Sequence, residues 1–193
     1  EEKFEGTFLE YLEKVQEDPD IAKPAHKRLY DAIKNKGVNV LDNEDPRKKK
    51  IFNDDNIKIY DYFKDVFFGN ERVIEKLMHF LKSASLRGEE SRQVLLLMGP
   101  VGAGKSALTE HIKDALDGEV YYHLDGDPQR GEPLQLLPRS LRPQFEEMLG
   151  VKIEGDLSPV ARHRLLEDYE GKYENFKVKT STFSQRGRRG IAS

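Results

Sequence analysis

Cysteine is absent from the 193 residues of the sequence. Its absence excludes disulfide bonds, cysteine nucleophiles and thiolate-ligated zinc, and it fits a reducing compartment. The five histidines show no metal-ligand spacing, so His111 and His163 are expected to be surface or packing residues. Any metal ion is therefore expected to be held through oxygen atoms.

Long hydrophobic runs are also missing. The longest, Val94–Met98, is far shorter than the ~18–20 residues that span a bilayer, and the start Glu1-Glu2-Lys3 has no signal-peptide pattern. We therefore expect a cytoplasmic protein without membrane contact. The net charge is −3, so the whole molecule has no attraction for nucleic acid. The basic clusters Arg47–Lys50 and Arg186–Arg189 are expected to be solvated loops.

The first third of the sequence indicates helices. Thr7 followed by Glu10 is a capping box, and the apolar spacing after it predicts a helix that ends before Pro19. A second helix is predicted from Pro24 to Lys36, and the two together suggest a helical hairpin. The charged stretch that follows indicates a linker. The predicted division is a helical segment over 1–41, a linker over 42–65 and a core over 66–193.

The middle of the sequence predicts alternating helix and strand. Asn70 is a candidate cap for a third helix, and residues 93–98 form a continuous apolar run typical of a strand buried on both faces of a parallel sheet. A helix over 107–116 and a strand over 119–124 complete one βαβ unit. The predicted fold is therefore α/β, a parallel sheet flanked by helices, with a helical extension at the N-terminus.

The last third continues the same alternation. Pro143 and Pro159 stand where prolines open helices, with Ser158 as an N-cap. Gly150 and Gly171 are candidate helix terminators. Residues 176–183 alternate weakly in polarity and predict one more strand.

The sequence from Gly99 to Ser106 fits the pattern GxxxxGK[ST] and lies between a predicted strand and a predicted helix. Glycines let backbone N–H groups approach phosphate, the helix N-terminus adds positive potential, and the lysine and serine serve the β- and γ-phosphates and Mg²⁺. We therefore expect Lys105 to be the catalytic residue and Ser106 the magnesium ligand. The predicted nucleotide-binding residues of this loop are Gly99, Pro100, Val101, Gly102, Ala103, Gly104, Lys105, Ser106 and Ala107.

Hydrolysis at a P-loop also needs an acidic residue that ends another buried strand and holds Mg²⁺. Asp125 follows a predicted strand, but it comes directly after the P-loop helix and is a weak candidate. We expect the acidic strand and any arginine finger to lie beyond Ser193, so that the chain is a fragment of a longer protein.

The segment Val66–Ile74 resembles the one that AAA+ ATPases lay over the adenine ring. This resemblance implies that Phe68 and Gly69 contact the base and favours ATP over GTP. The competing interpretation is that Phe63, Phe67 and Phe68 form an ordinary aromatic core beneath a turn.

A second resemblance covers nearly the whole chain. The P-loop region, the stretch Gly131–Pro138, the stretch Gly150–Gly155 followed by Ser158-Pro159, and the opening Phe4–Phe8 resemble the PrkA serine protein kinase family. That resemblance implies an AAA-type domain that binds ATP and Mg²⁺, followed in the family by a kinase-like domain, with a protein substrate and a homo-oligomer as partners. Many relatives have cysteines near Gly126–Pro128 and Ser158–Ala161, where this chain has none.

Three functions follow from these observations. The first is an ATP-dependent enzyme of the PrkA type, a serine/threonine protein kinase or an ATPase. The second is a stand-alone small-molecule kinase, which would need a substrate lid and arginines within residues 130–142 or 162–164. The third is a regulatory module that binds nucleotide without hydrolysing it, an alternative that the missing acidic motif keeps open.

Overall fold

The computed structural model describes residues 3–42, 44–46, 48, 56–86 and 93–184. The contacts divide the chain into two units: one combines the residues up to Lys23 with those from Asp117 onward, and the other spans Pro24–Leu116. The ends of these units differ from the domain boundaries predicted at residues 41 and 65, and those boundaries stay a prediction. The basic cluster at 186–189 and much of the charged linker lie outside the described residues.

The first unit contains a three-stranded antiparallel sheet. Its strands are β1 (Glu5–Thr7), β4 (Val120–Leu124) and β5 (Lys177–Thr182), and β5 lies in the centre. Gly6 stands opposite Val178, and Tyr122 stands opposite Thr180. The two strands predicted near 119–124 and 176–183 are therefore confirmed.

Helices α1 (Phe8–Glu17), α6 (Arg142–Leu149) and α7 (Pro159–Glu167) complete the first unit, with short 3₁₀ turns at Pro19–Ala22, Pro133–Leu136 and Tyr173–Asn175. Apolar side chains from these helices, the turns and the sheet form one core. Its fully buried members include Phe8, Tyr11, Val15, Leu124, Leu134, Leu137, Phe176 and Val178.

Local capping explains where these helices begin and end. The Thr7 hydroxyl accepts from the Glu10 amide at 3.3 Å, and the Glu10 carboxylate accepts from the Thr7 amide at 2.6 Å, which confirms the predicted capping box. The Ser158 hydroxyl accepts from the Ala161 amide at 3.0 Å, as predicted. Gly150 ends α6 with a φ of +65°, a conformation that glycine adopts at little cost.

The second unit contains helices α2 (Ala25–Lys34), α3 (Asp61–Lys64), α4 (Glu71–Ser85) and α5 (Lys105–Asp114). Strands β2 (Val38–Val40) and β3 (Lys58–Tyr60) form an antiparallel pair. Helices α2 and α4 pack against each other. The buried residues on these two helices include Leu29, Ile33, Ile74, Leu77, Met78 and Leu81.

Several predictions of pairing and capping are wrong. Residues 94–98 form no strand, and Val94 and Met98 are 92% and 84% exposed, because no strand among the described residues lies alongside them to pair or cover them. Both sheets of the described chain are antiparallel, so the predicted βαβ unit and parallel sheet are not found there. Helix α4 forms as predicted, but the Asn70 side chain makes no capping bond.

Helices α1 and α2 belong to different units, so their packing as a hairpin stays a prediction. Within the described residues, the structure contains no helix with the length and apolar character needed to cross a bilayer. The structure thus supports a small antiparallel sheet with flanking helices in one unit and a mainly helical second unit that carries the P-loop.

Candidate functional site

The loop before α5 has the backbone form that the glycine pattern predicts. Gly102 and Gly104 have φ values of +83° and +77°, in the left-handed region that favours glycine. The Ala103 amide donates to the Pro100 carbonyl at 3.3 Å and closes the turn. Helix α5 then begins at Lys105, directly after the second of these glycines.

The N-terminus of α5 has the features of an anion site. No side chain caps it, and the first amides of an α-helix have no acceptor within the helix. The helix dipole adds positive potential at the same end. The Lys105 ammonium folds over the loop and donates to the carbonyls of Gly99 and Pro100 at 2.7 and 2.6 Å. One cation and several backbone donors therefore converge on this turn.

The structure brings the nine predicted P-loop residues into a single turn that opens to solvent. Val101 is fully exposed, Ser106 and Ala107 are exposed, and Gly104 and Lys105 are half-buried. Ser106 stands one residue after the lysine in the first turn of α5 and is exposed. The binding of phosphate and Mg²⁺ by these residues stays a prediction.

The segment predicted to contact the base lies beside the P-loop. The Phe67 ring stands 3.9 Å from the position where a Cβ atom on Gly104 would lie. Phe68 is 73% exposed and Gly69 has a φ of +76°, whereas Phe63 is buried. The interpretation as an ordinary aromatic core therefore holds for Phe63 and fails for Phe68.

A cleft of about 320 Å³ opens next to this segment. Apolar rings and aliphatic side chains form much of its wall, and lysine, aspartate, glutamate and asparagine side chains stand around them. The residues that line it are Asn39, Lys58, Ile59, Tyr60, Phe63, Lys64, Asp65, Phe67, Phe68, Glu71 and Ile74.

Two further residues, Tyr62 and His111, form a contact that the sequence did not predict. They are hydrogen-bonded to each other, and their rings stack with centroids 4.4 Å apart. His111 was expected to be a packing or surface residue, and Tyr62 was not singled out. The two lie 49 positions apart in sequence, so no local spacing could have paired them. The dense aromatic run around Tyr62 is the only signal that points to a cluster here.

The weak acidic candidate, Asp125, lies in the first unit. Its carboxylate pairs with Lys179 at 3.3 Å, and its backbone carbonyl accepts a hydrogen bond from Arg164. In the part of the chain that the structure describes, no cluster of three or more histidine, aspartate or glutamate side chains could hold a metal ion. A magnesium role for Asp125 stays a prediction.

A buried polar contact joins the loop that contains Asp127 to the start of α7. The Asp127 carboxylate accepts from the Ser158 hydroxyl at 2.8 Å and from the Gly131 amide at 2.8 Å. Both side chains are almost fully buried. This chain therefore joins the two segments by hydrogen bonds.

Residues 6–193 match the sequence profile described as the PrkA AAA domain. The chain belongs to the PrkA AAA domain family. This match confirms the predicted resemblance and establishes an AAA-type domain. No solved structure matches the chain.

Two curated relatives of the PrkA family carry different functional names. "ATP-dependent protease PrkA" of Bacillus subtilis (strain 168) is 37% identical over 198 residues, which cover 99% of this chain and 29% of that protein. "Serine/threonine kinase YeaG" of Escherichia coli (strain K12) is 33% identical over 183 residues, covering 90% and 28%. The chain thus spans less than a third of the length of these relatives. Both names indicate enzymes that use ATP.

Proposed function

We propose that this PrkA AAA domain binds Mg-ATP through the loop Gly99–Ala107. The observation that supports the proposal best is the turn itself, in which two left-handed glycines lead to the uncapped N-terminus of α5. In this arrangement the β- and γ-phosphates lie against the loop amides and Lys105, and the Ser106 hydroxyl joins the shell of Mg²⁺. Lys105 then exchanges its bonds to two loop carbonyls for bonds to phosphate.

The base is proposed to lie against Phe68 and Gly69. Phe68 offers an exposed ring for stacking, and Gly69 lets a ligand approach the backbone without a Cβ atom in the way. The neighbouring cleft provides apolar wall and polar groups at one place, which is the usual make-up of a small-molecule site. We propose ATP rather than GTP because of the resemblance of this segment to the adenine segment of AAA+ ATPases.

In longer PrkA-family proteins, we propose that ATP bound here supplies a phosphoryl group or hydrolysis energy. The kinase name of one relative favours transfer to a serine or threonine hydroxyl, and the protease name of the other favours hydrolysis that drives work on a protein. Both forms cleave the β–γ bond of ATP and act on a protein substrate. Assembly of several copies of the chain is part of the same proposal.

The proposal is tested by titration calorimetry with ATP, ADP and GTP, with and without Mg²⁺. Lys105→Ala is expected to weaken ATP binding by about 10- to 100-fold, because a hydrogen bond to a charged group contributes about 1.5–3 kcal/mol. Ser106→Ala is expected to remove most of the effect of Mg²⁺ on ATP affinity.

The matched control is Lys113→Ala, which removes another lysine of α5 whose ammonium pairs with Glu110 at the surface. Its ATP affinity is expected to equal that of the wild type. Equal ATP affinity of Lys105→Ala and the wild type contradicts the P-loop assignment. A phosphate-release assay on the same samples measures whether the chain turns ATP over by itself.

A further inference from the structure

Tyr62 of α3 and His111 of α5 form a reciprocal pair. The Tyr62 hydroxyl donates to the His111 backbone carbonyl at 2.6 Å, and the His111 Nε2 atom lies 2.9 Å from the Tyr62 backbone carbonyl. Because a carbonyl oxygen only accepts, Nε2 carries the hydrogen and donates it. The two rings stack at 4.4 Å with an interplanar angle of 22°. We name this pair the Tyr62–His111 clamp.

Aromatic neighbours enclose the clamp. The centroids of the Phe63 and Phe67 rings each lie 5.6 Å from that of the His111 imidazole, and Phe63 is buried. Burial, and to a smaller extent the charge of Asp114, raises the pKa of Tyr62 to about 12. The hydroxyl therefore stays protonated and remains a donor at physiological pH. Hydrogen bonds in a partly buried place are stronger than in water, because the local dielectric constant is lower.

The clamp joins the two elements that carry the two halves of the proposed nucleotide site. Helix α5 begins with Lys105 and Ser106, the proposed phosphate and magnesium residues. The turn after α3 carries Phe67, Phe68 and Gly69, the proposed base segment. The Phe67 ring also lies 3.9 Å from the position that a Cβ atom on Gly104 would take, just before α5, so the base segment approaches this helix both at its start and at His111.

We propose that Tyr62 and His111 are positioning residues that set the preference of this site for a nucleotide over a bare polyphosphate. The inference rests on the proposed function. A nucleotide must meet the P-loop and the base segment at the same time, so its affinity depends on how rigidly the two are held together. An inorganic polyphosphate meets only the loop, so its affinity does not depend on the clamp.

The test measures the affinities of Mg-ATP and inorganic tripolyphosphate for the 193-residue chain by calorimetry. Tyr62→Phe removes one oxygen and keeps the ring, and His111→Ala removes the other donor and the stack. Each is expected to weaken ATP binding by about fivefold, the size expected for one lost hydrogen bond, and to leave tripolyphosphate binding within about twofold. The ratio of the two affinities therefore falls.

His111→Gln provides the rescue, because its amide N–H can reach the position of Nε2 and donate to the Tyr62 carbonyl. This variant is expected to recover most of the ratio that His111→Ala loses. Tyr30→Phe, a tyrosine of α2 in the same unit, is the matched control and is expected to leave the ratio unchanged. Thermal unfolding of each variant shows that it is folded at the titration temperature.

Each outcome has a distinct meaning. An unchanged ratio in Tyr62→Phe, or an equal loss for ATP and tripolyphosphate, overturns the positioning role, since the clamp would then support only the fold of α5. A wild-type chain that binds neither ligand overturns the proposed function itself. A wild type that binds ATP better than tripolyphosphate while both variants keep the same preference overturns only this inference.

Discussion

Asp127 is a single residue that orders two segments of the first unit. One carboxylate oxygen accepts from the Ser158 hydroxyl and the Gln129 amide, and the other accepts from the Gly131 amide. Ser158 in turn caps α7 through the Ala161 amide. A side chain only 5% exposed therefore orders a loop and the start of a helix.

We expect Asp127→Ala to lower the free energy of unfolding by about 2–4 kcal/mol, because several donors lose their acceptor in a buried place. Urea unfolding followed by circular dichroism measures the change. Asp156→Ala is the control, since it removes an exposed carboxylate that pairs with Arg139 at the surface, and its loss of stability is expected to be much smaller. Similar losses for the two variants would mean that Asp127 does not carry this role.

His123 makes the stability of the first unit depend on pH. Its Nδ1–H donates to the Leu124 carbonyl at 3.0 Å, and its Nε2 lies 2.8 Å from the Ser181 hydroxyl. Burial lowers the pKa of His123 below its usual value, and the nearby Arg130 charge adds to this effect. The folded state therefore favours the neutral form of the imidazole more strongly than the unfolded state does.

Because the folded pKa lies below the unfolded value near 6.5, the unfolded chain binds more protons between the two values. The contribution of His123 to stability is complete above about pH 6.5 and is lost as the pH falls from there through the folded pKa. When the pH is lowered from 7.5 to 5.5, we expect the urea midpoint of the wild type to decrease by more than that of His123→Gln. The glutamine keeps a hydrogen-bonding group but does not titrate. Parallel pH profiles of the two proteins would contradict this assignment.

At the scale of elements, helix ends were predictable from the sequence because their signals are local. The capping box at Thr7 and Glu10, the cap at Ser158 and the left-handed Gly150 each act within four residues of the helix end that they define. The exception is Asn70, whose residue type fits a cap but whose side chain makes no capping bond.

Strand pairing was not predictable in the same way because partners are chosen across long separations. The strand Val120–Leu124 was predicted as a strand, yet its neighbour is β5, in antiparallel register, and not the apolar run before the P-loop. The alternation of residues within a strand reports which face is buried and carries no information on the partner's direction. The apolar run itself shows that a strong strand composition forms no strand without a partner.

In the candidate site, too, local features were predictable from the sequence and long-range contacts were not. The backbone turn at Gly99–Ser106 was predictable because the pattern fixes four residue types at set positions within eight consecutive residues, whereas its binding of phosphate stays a prediction. The Tyr62–His111 clamp was not, because each residue has its meaning only next to the other.

The exposed run Val94–Met98 predicts self-association of the chain. Four of its five side chains, all except Leu97, are exposed, and its backbone pairs with no described strand, the combination that favours edge-to-edge contacts. Leu96→Lys is expected to lower the fraction of oligomer seen by light scattering at high protein concentration. Leu9→Lys changes another exposed leucine, on α1, which is 51% exposed against 74% for Leu96, and is expected to leave that fraction unchanged. The same fraction in wild type and Leu96→Lys would exclude this segment as the cause.

At the scale of the whole molecule, the first unit is discontinuous in sequence. The Thr180 amide of the central strand donates to the Phe4 carbonyl at 3.1 Å, although the two residues are 176 positions apart. The second unit, Pro24–Leu116, lies between these segments in sequence and has its own buried residues.

A variant that begins at Phe8 tests this organisation, because it lacks β1 and the Thr7 cap of α1 and keeps the residues of the other described strands and helices. We expect the Thr180 amide to exchange its hydrogen at least tenfold faster in this variant, since its acceptor is gone and β5 becomes an edge strand. The Met78 amide in α4 of the second unit is expected to exchange at its wild-type rate. Faster exchange at both amides would show that the two units unfold together.

The pairing of β1 with β5 also determines the order in which the chain can fold during translation. At about 5–20 residues per second, a ribosome needs roughly 10–35 seconds to synthesise the residues between Phe4 and Thr180. Throughout that time β1 has no partner, whereas the P-loop, the clamp and helices α2 and α4 are all synthesised before its end. The nascent chain can therefore complete the unit with the candidate nucleotide site before the sheet of the other unit can close.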